Sequence, residues 1–133
     1  MTKKEKKNMI TPTWIIAGSR NLSDKKYVVS ALNEYANAHG YPCEVVSGGS
    51  RGADFLGEVW AEQNGIPVKR FPADWDKYGR SAGPIRNGQM AEYAKPNGIL
   101  LLFWDGKSPG SRSMLNEARK RNIPVVQFIV KIP

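Results

Sequence analysis

The sequence is poor in the side chains that carry out most nucleophilic and metal-dependent chemistry. Its 133 residues include one histidine, His39, and one cysteine, Cys43. A Ser–His–Asp set needs a histidine beside its serine, and His39 ends a helical pattern away from any candidate site, which excludes that class of hydrolase. No grouping of His, Cys, Asp and Glu has metal-ligand spacing, so we predict no metal site. Cys43 has no disulfide partner in the chain; this pattern is typical of a small buried hydrophobe in a reducing compartment and predicts a cytoplasmic location.

Long hydrophobic runs are also lacking. The longest, from Ile99 to Trp104, has the length of a strand and not of a membrane span, so we predict no membrane partner. The first eight residues are basic, but no apolar signal-peptide region follows them. We therefore expect residues 1–10 to form a disordered basic tail and residues 11–133 to form a single domain, which is large enough for a hydrophobic core.

Acidic residues are outnumbered. The chain has 12 Asp and Glu and 20 Lys and Arg, which gives a net charge of +8. Residues 1–7 hold four Lys and one Glu, a net of +3, which leaves +5 for the rest of the chain. A basic balance favours nucleotides or nucleic acid as partners, and it does not choose between them.

The GxGxxG and P-loop motifs are absent, but one stretch has the features on which such motifs rely. The apolar run Val45–Ser47 ends in Gly48, Gly49 and Gly52, and a helical pattern begins at Ala53. Glycine permits a tight turn and close approach to the backbone, while the first N–H groups of a helix lack partners within it. This combination predicts an anion site. The alternative is an ordinary tight turn between a strand and a helix.

Strand and helix patterns alternate along the whole chain. Strands are predicted at 13–18, 43–47, 68–71, 98–104 and 125–130; helices are predicted at 25–39, from 53 to about 64, from 84 to about 94, and after the loop 105–111; a loop is predicted at 72–83. This order predicts an α/β fold, a Rossmann-like three-layer αβα arrangement with a five-stranded parallel sheet in the order 3-2-1-4-5. Ligands of such sheets bind at the carboxyl ends of the strands, where the first and fourth strands diverge. The loops that follow strands one, two and four should meet there.

Five segments together resemble the YspA-like branch of the SLOG superfamily, which groups Smf/DprA proteins with LOG enzymes. They are Gly18-Ser19-Arg20, Ser47 to Asp54, Phe71 to Trp75, Ala82 to Asn87, and Trp104-Asp105-Gly106 with Gly110-Ser111. The resemblance covers residues 13–130. It implies a Rossmann-like pocket for a nucleotide or nucleotide-derived ligand such as an ADP-ribose, NAD-like or cyclic nucleotide, with no certain cofactor, and a homodimer or higher homo-oligomer.

The resemblance to LOG enzymes is incomplete at one position. Those enzymes cleave nucleoside monophosphates and carry the motif PGGxGTxxE, with an arginine at the start of the preceding helix. Arg86 matches that arginine and Gly110-Ser111 match the GT pair, but Met114 stands at the glutamate position. The nearest acid on that helix is Glu117. A hydrolase of N-glycosidic bonds needs a carboxylate, so this departure disfavours that activity.

The predicted site combines phosphate contacts, two candidate catalytic groups and two aromatic side chains. The ligand-binding or phosphate-binding set is Gly18, Ser19, Arg20, Ser47, Gly48, Gly49, Gly52, Asp54, Arg86, Asn87, Asp105, Gly106, Gly110 and Ser111; the catalytic candidates are Arg86 and Asp105; Trp75 and Tyr78 are candidates for stacking on a base. Guanidinium groups bind phosphate oxygens in pairs. The alternatives are a surface or ion-paired arginine, a turn-capping Asp105, a first-turn helix acid for Asp54, an N-cap for Ser111, and loop aromatics that pack over the core.

Three functions follow in order of preference. The first is a sensor or sequestering protein for a nucleotide; the second is a LOG-type phosphoribohydrolase using Arg86 with Asp105 or Glu117. The third is a DNA-binding protein of Smf/DprA type, suggested by the net charge and by the cluster of Arg112, Arg119, Lys120 and Arg121. Cations near the end of a helix are favourable in any case, which weakens the third.

Overall fold

The computed structural model describes residues 12–132, and the predicted tail at residues 1–10 lies outside this range. Five parallel strands form one sheet in the order β3-β2-β1-β4-β5, which confirms the predicted topology. The strands are β1 (Thr13–Gly18), β2 (Glu44–Ser47), β3 (Val68–Arg70), β4 (Gly98–Trp104) and β5 (Val125–Ile129). The middle strand is β1, and β4 lies beside it, paired from Thr13↔Gly98 to Gly18↔Phe103.

Helices cover both faces of the sheet, as the alternation of elements predicts. They are α1 (Lys25–His39), α2 (Ala53–Gln63), α3 (Trp75–Tyr78), α4 (Ala82–Ala94) and α5 (Pro109–Lys120), with a 3₁₀ turn at Gly79–Ser81 between α3 and α4. Asp24 caps α1, because its carboxylate accepts a hydrogen bond from the N–H of Tyr27 at 3.1 Å. Among the described residues, no helix is long and apolar enough to cross a membrane.

Alternate residues of β1 serve two separate cores. Trp14 and Ile16 pack with α1 and α2 on one face, whereas Ile15 and Ala17 pack with α4 and α5 on the other. The indole of Trp14 stacks on that of Trp60 with ring centroids 5.4 Å apart. Burying this apolar surface on both faces fixes the register of β1, and with it the position of the loop that follows Gly18.

The predicted loop at 72–83 is the main error of the sequence-based elements. The structure has the short helix α3 and the 3₁₀ turn there, and α4 begins at Ala82, not at Pro84. Asp74 caps α3 by accepting a hydrogen bond from the N–H of Lys77. A four-residue helix shows no periodicity in a sequence, so only this capping residue could have indicated it. Three strand boundaries differ from the predicted ones by one residue: β2 begins at Glu44, β3 ends at Arg70 and β5 ends at Ile129.

Candidate functional site

A cleft of about 520 Å³ opens at the carboxyl edge of the sheet, where β1 and β4 diverge. Ten of the predicted site residues line it: Gly18, Ser19, Arg20, Asp54, Trp75, Arg86, Asn87, Asp105, Gly110 and Ser111. The other six predicted residues, Ser47, Gly48, Gly49, Gly52, Tyr78 and Gly106, are not part of the lining. The cleft therefore coincides with the switch point of the sheet, where ligands of parallel α/β proteins bind.

Arg86 is the central cation of this cleft, and its side chain is 8% exposed. Its Nη1 donates a hydrogen bond of 2.6 Å to the carbonyl oxygen of Gly48, and its Nε donates one of 3.0 Å to Oδ1 of Asn87. A longer contact of 3.5 Å joins Nη1 to the carbonyl oxygen of Phe71. None of these bonds uses Nη2. Burial lowers the pKa of Arg86, Asp54 partly offsets this, and Arg20 adds to the lowering.

Asp54, in the first turn of α2, is the buried carboxyl group of the cleft, at 5% exposure. Burial raises its pKa from 3.8 to about 6, although the charge of Arg86 and hydrogen bonds from the N–H groups of Ser50 and Gly48 pull in the other direction. A Cβ added at Gly48 would lie 2.7 Å from Nη1 of Arg86 and 2.8 Å from Oδ2 of Asp54. Glycine at position 48 thus allows a cation and an acid to approach the same point of the backbone.

The amides of the glycine turn are largely used within the protein. Gly49 donates its N–H to Oγ of Ser47, Ser50 donates to Asp54, and Ala53 donates to the carbonyl oxygen of Ser19. Gly52 has a φ of 78°, and a Cβ there would lie 2.2 Å from the same Ser19 oxygen. This turn therefore docks α2 against the loop after β1. The turn that first suggested an anion site holds the cleft together and offers a ligand few free N–H groups.

The N-terminus of α5 is more open to a ligand. Its N-cap is Ser108, not Ser111, and the hydroxyl of Ser108 makes no capping bond to the helix. Within the described residues, no acceptor pairs with the N–H groups of Gly110 and Ser111, and Pro109 has no N–H. The hydroxyl of Ser108 instead donates to Oγ of Ser111 at 2.8 Å and lies 3.4 Å from Oγ of Ser19. Unpaired N–H groups and hydroxyls at a helix N-terminus suit an anion.

Asp105 acts as a turn cap, which was the alternative interpretation. Its Oδ1 accepts hydrogen bonds from the N–H groups of Lys107 and Ser108, at 2.9 and 3.0 Å. These bonds hold the pKa of Asp105 below its usual value. Gly106 follows with a φ of 82°. The carboxylate lines the cleft in its ionised form, with one oxygen committed to shaping the loop that presents α5.

The mouth of the cleft carries an aromatic side chain beside a cation. Trp75 is 50% exposed, and the guanidinium carbon of Arg20 lies 6.0 Å from the centre of its ring. Arg80 also lines the mouth. Tyr78 is 40% exposed but is not part of the lining. Neither aromatic side chain is buried over the core. Because only Trp75 lines the cleft, it is the one of the pair that is available to a ligand there.

The position that carries glutamate in LOG enzymes holds a buried thioether here. Met114 lines the cleft and is 2% exposed. Glu117 lies outside the lining and pairs with Lys120 and Arg121. Burial alone would raise the pKa of Glu117, but hydrogen bonds from these two cations lower it. Asn87 ties α4 to α5 by donating to Oγ of Ser113 at 3.1 Å.

Several lining residues were not among the predicted site residues: Asn21, Ser50, Arg80, Gly83, Pro84, Met90, Ser108, Pro109, Ser113 and Ile132. Ser108 could have been found, because serine directly before proline is the typical N-cap and first-turn pair of a helix. Arg80 carried no signal, since its position depends on the unpredicted turn after α3. Among the described residues, no group of three or more His, Cys, Asp and Glu could hold a metal ion.

Comparisons with known proteins agree with this architecture. The Gene 61 protein of Mycobacterium phage D29 is 37% identical over 119 residues, which cover 86% of this chain and 94% of the phage protein. The X-ray structure of DNA processing protein A (DprA) from Streptococcus pneumoniae superposes with a TM-score of 0.66 at 18% identity, over 92% of this chain. At this low identity the likeness shows the fold alone, and the chain spans 52% of that structure. The sequence profile of the YspA, cpYpsA-related SLOG family matches residues 13–78. The chain belongs to the YspA, cpYpsA-related SLOG family.

Proposed function

We propose that the cleft binds a nucleotide or a nucleotide-derived ligand of the ADP-ribose, NAD-like or cyclic type. In this proposal residues 11–133 act as one nucleotide-binding domain, a cytoplasmic sensor or sequestering protein. The observation that carries it is the meeting of the unpaired N–H groups of Gly110 and Ser111 with the buried cation Arg86 in one cleft.

The chemistry of the α5 N-terminus favours a phosphate group. The free N–H groups lie at the positive end of the α5 dipole, and the hydroxyls of Ser19, Ser108 and Ser111 add rotatable donors beside them. Arg86 has Nε and Nη1 committed to protein oxygens, which fixes the plane of its guanidinium group. A cation held rigidly by other bonds loses little entropy when an anion binds to its remaining nitrogen.

The rest of the cleft suits the remainder of a nucleotide. A volume of about 520 Å³ falls within the range of small-molecule sites. Trp75 offers an aromatic face at the mouth for a base, and Arg20 lies beside it. Phosphate deep in the cleft and base at the mouth is the orientation that this arrangement favours.

Calorimetric titration with AMP, NAD, ADP-ribose and cyclic AMP tests the proposal. We expect at least one of them to bind the protein, and Arg86→Ala to weaken that binding at least tenfold. Arg119→Ala is the matched control, because it removes one positive charge from an exposed position on α5 outside the cleft. No binding by any of the four ligands, or equal losses in the two variants, contradicts the proposal.

The phosphoribohydrolase receives less support from the cleft. Met114 supplies no proton, Glu117 is paired outside the lining, and Asp105 is committed to its own loop. Release of free base from nucleoside monophosphates, followed by chromatography at high protein concentration, distinguishes a hydrolase from a binding protein.

The nucleic-acid alternative draws on the net charge and on the fold shared with a DNA-processing protein. Three cations of its proposed cluster are engaged elsewhere: Arg112 donates to the carbonyl oxygen of Gly106, while Lys120 and Arg121 pair with Glu117. Gel shifts across a salt series test it, since binding through phosphate contacts weakens steeply as salt rises.

Homo-oligomerisation stays a prediction of the same proposal. Phe55 on the outer face of α2 is 57% exposed, which gives an apolar contact point for a second copy. Light scattering after size-exclusion chromatography, on the protein and on Phe55→Ser, measures the assembly directly.

A further inference from the structure

Asp54 is an unusual residue for a site meant to receive an anion. It is a carboxyl group at 5% exposure, it lines the cleft, and it approaches the same backbone point, Gly48, as Arg86 does. An anionic ligand that binds next to Arg86 therefore brings a second negative charge close to the carboxylate of Asp54. Two like charges in a buried site cannot both be ionised without a large cost.

We propose that the cleft takes up a proton on Asp54 when an anionic ligand binds, so that ligand and proton enter together. This inference rests on the proposed function and adds a coupling that the function does not require. The step is Asp54 carboxylate plus one proton from the solvent giving the neutral carboxylic acid; no other bond forms or breaks.

Burial prepares Asp54 for this role. Its pKa is raised to about 6 in the free protein, so a further rise of about two units on ligand binding protonates it almost fully at pH 7. A phosphate beside Arg86 supplies that rise by direct repulsion and by competing for the attraction of the arginine.

The other charged groups around Asp54 do not take up the proton in its place. Glu58, one turn later on α2, is held by the hydroxyl of Ser47 at 2.6 Å and by Arg70 at 2.7 Å. Arg86 is a cation throughout this pH range, and Arg20 is exposed at the mouth. Asp105, the other lining carboxylate, is kept ionised by two backbone N–H groups. Asp54 is thus the one of the two lining carboxyl groups that can change charge near neutral pH.

The test is calorimetry with ADP-ribose at about pH 7 in two buffers of different ionisation enthalpy. ADP-ribose is chosen because a phosphate monoester such as AMP has its own pKa near 6, which would obscure the result. We expect the observed enthalpy to differ between the buffers by an amount that corresponds to nearly one proton bound per ligand. The affinity should fall by up to about tenfold per pH unit between pH 6 and the raised pKa of the bound state, and become constant above it, as linkage requires.

Two variants separate Asp54 from the other carboxylate. Asp54→Asn keeps the size and an oxygen acceptor for Ser50 but cannot take up a proton, so binding should become independent of buffer and of pH. Asp105→Asn should keep the proton uptake of the original protein. Thermal unfolding of both variants verifies that they are folded.

The outcomes are distinct. If ADP-ribose binds with the same enthalpy in both buffers, the inference is wrong and the proposed function stands. If Asp54→Asn still takes up a proton, the inference is wrong because another group carries it. If ADP-ribose does not bind between about pH 5.5 and 8, the inference falls, and the proposed function then depends on the other three ligands.

Discussion

The guanidinium of Arg86 on α4 donates a hydrogen bond of 2.6 Å to the carbonyl oxygen of Gly48, 38 residues earlier in the chain. This bond joins the loop after β2 to α4. It also places a carbonyl oxygen, and not an amide, against the central cation. The glycine turn therefore contributes to the site by positioning Arg86, whereas the free N–H groups come from α5.

Gly48→Ala should damage both the fold and the cleft. The new methyl group would lie 2.7 Å from Nη1 of Arg86 and 2.8 Å from Oδ2 of Asp54, so one of these buried groups must move. We expect a loss of about 1–3 kcal/mol in the free energy of unfolding, the usual result of overpacking, measured by urea denaturation. Ligand affinity, measured by calorimetry on the folded protein, should fall at the same time.

Gly57→Ala is the matched control for that variant. Its methyl group would lie 2.5 Å from Cγ2 of Ile16 in the core, on the side of α2 that faces the sheet. We expect a similar loss of stability with unchanged ligand affinity. Equal losses of affinity in the two variants would mean that general destabilisation, and not the position of Arg86, controls binding.

Asp54→Asn should change how stability depends on pH. The pKa of Asp54 is about 6 in the folded protein against the usual 3.8 of an aspartate side chain, so the folded state binds more protons between these values. The contribution of Asp54 to stability therefore falls as pH rises through that window, by about 3 kcal/mol in total. Asp54→Asn lacks this loss, so its unfolding free energy should rise relative to that of the original protein between about pH 4 and pH 7.

Asp105→Asn should change the pH dependence of the unfolding free energy in the opposite direction. Backbone N–H groups lower the pKa of Asp105, so its contribution to stability is present above its unfolded pKa and is lost as pH falls. Denaturant titrations of both variants at the two pH values make the comparison. A parallel pH dependence in the two would contradict the assigned environments.

The sheet and its order could be predicted from the sequence because each strand is a short buried run with a proline or glycine at its boundary. Pro42, Pro67 and Pro124 precede the β2, β3 and β5 segments, where a missing N–H costs little. The parallel order then followed from the alternation with helices. Trp14 and Ile15 could both be assigned to the core, since a strand covered by helices on both sides is apolar at every position.

The use made of each polar group could not be predicted in the same way. A run such as Gly48–Gly52 indicates a turn, but which amides it leaves free depends on Ser19 and Asp54, whose positions are set by tertiary packing. The rise in the pKa of Asp54 likewise depends on burial between α2 and α4. Ser108 was recoverable from its place before Pro109; the turn that brings Trp75 to the mouth was not.

Trp75→Ala should lower affinity for a ligand that has a base. Stacking of a base on an aromatic side chain contributes about 1–3 kcal/mol, and Trp75 is half-exposed at the mouth, so its removal should change stability by less than about 1 kcal/mol. Calorimetry with AMP and with ribose 5-phosphate separates the effects, because only AMP should lose affinity. Tyr78→Ala, from an exposed aromatic outside the lining, should leave both affinities unchanged.

Ser108→Asp should raise stability and abolish binding of an anionic ligand. Ser108 is the N-cap of α5, with φ −62° and ψ 131°, and its hydroxyl leaves the N–H groups of Gly110 and Ser111 unpaired. Aspartate is a preferred N-cap whose carboxylate accepts from these groups and complements the helix dipole, which should contribute about 0.5–1 kcal/mol. The same carboxylate would occupy the position that we assign to phosphate, and its charge would repel the ligand.

Ser108→Asn isolates the charge in that experiment. Asparagine caps a helix about as well as aspartate but is neutral, so it should give a similar gain in thermal stability and a smaller loss of affinity. We expect the order of affinity to be original protein, then Ser108→Asn, then Ser108→Asp, with stability in the reverse order. An anionic ligand that binds Ser108→Asp as tightly as the original protein would show that the phosphate lies elsewhere, because a capped and negatively charged helix end cannot also hold it.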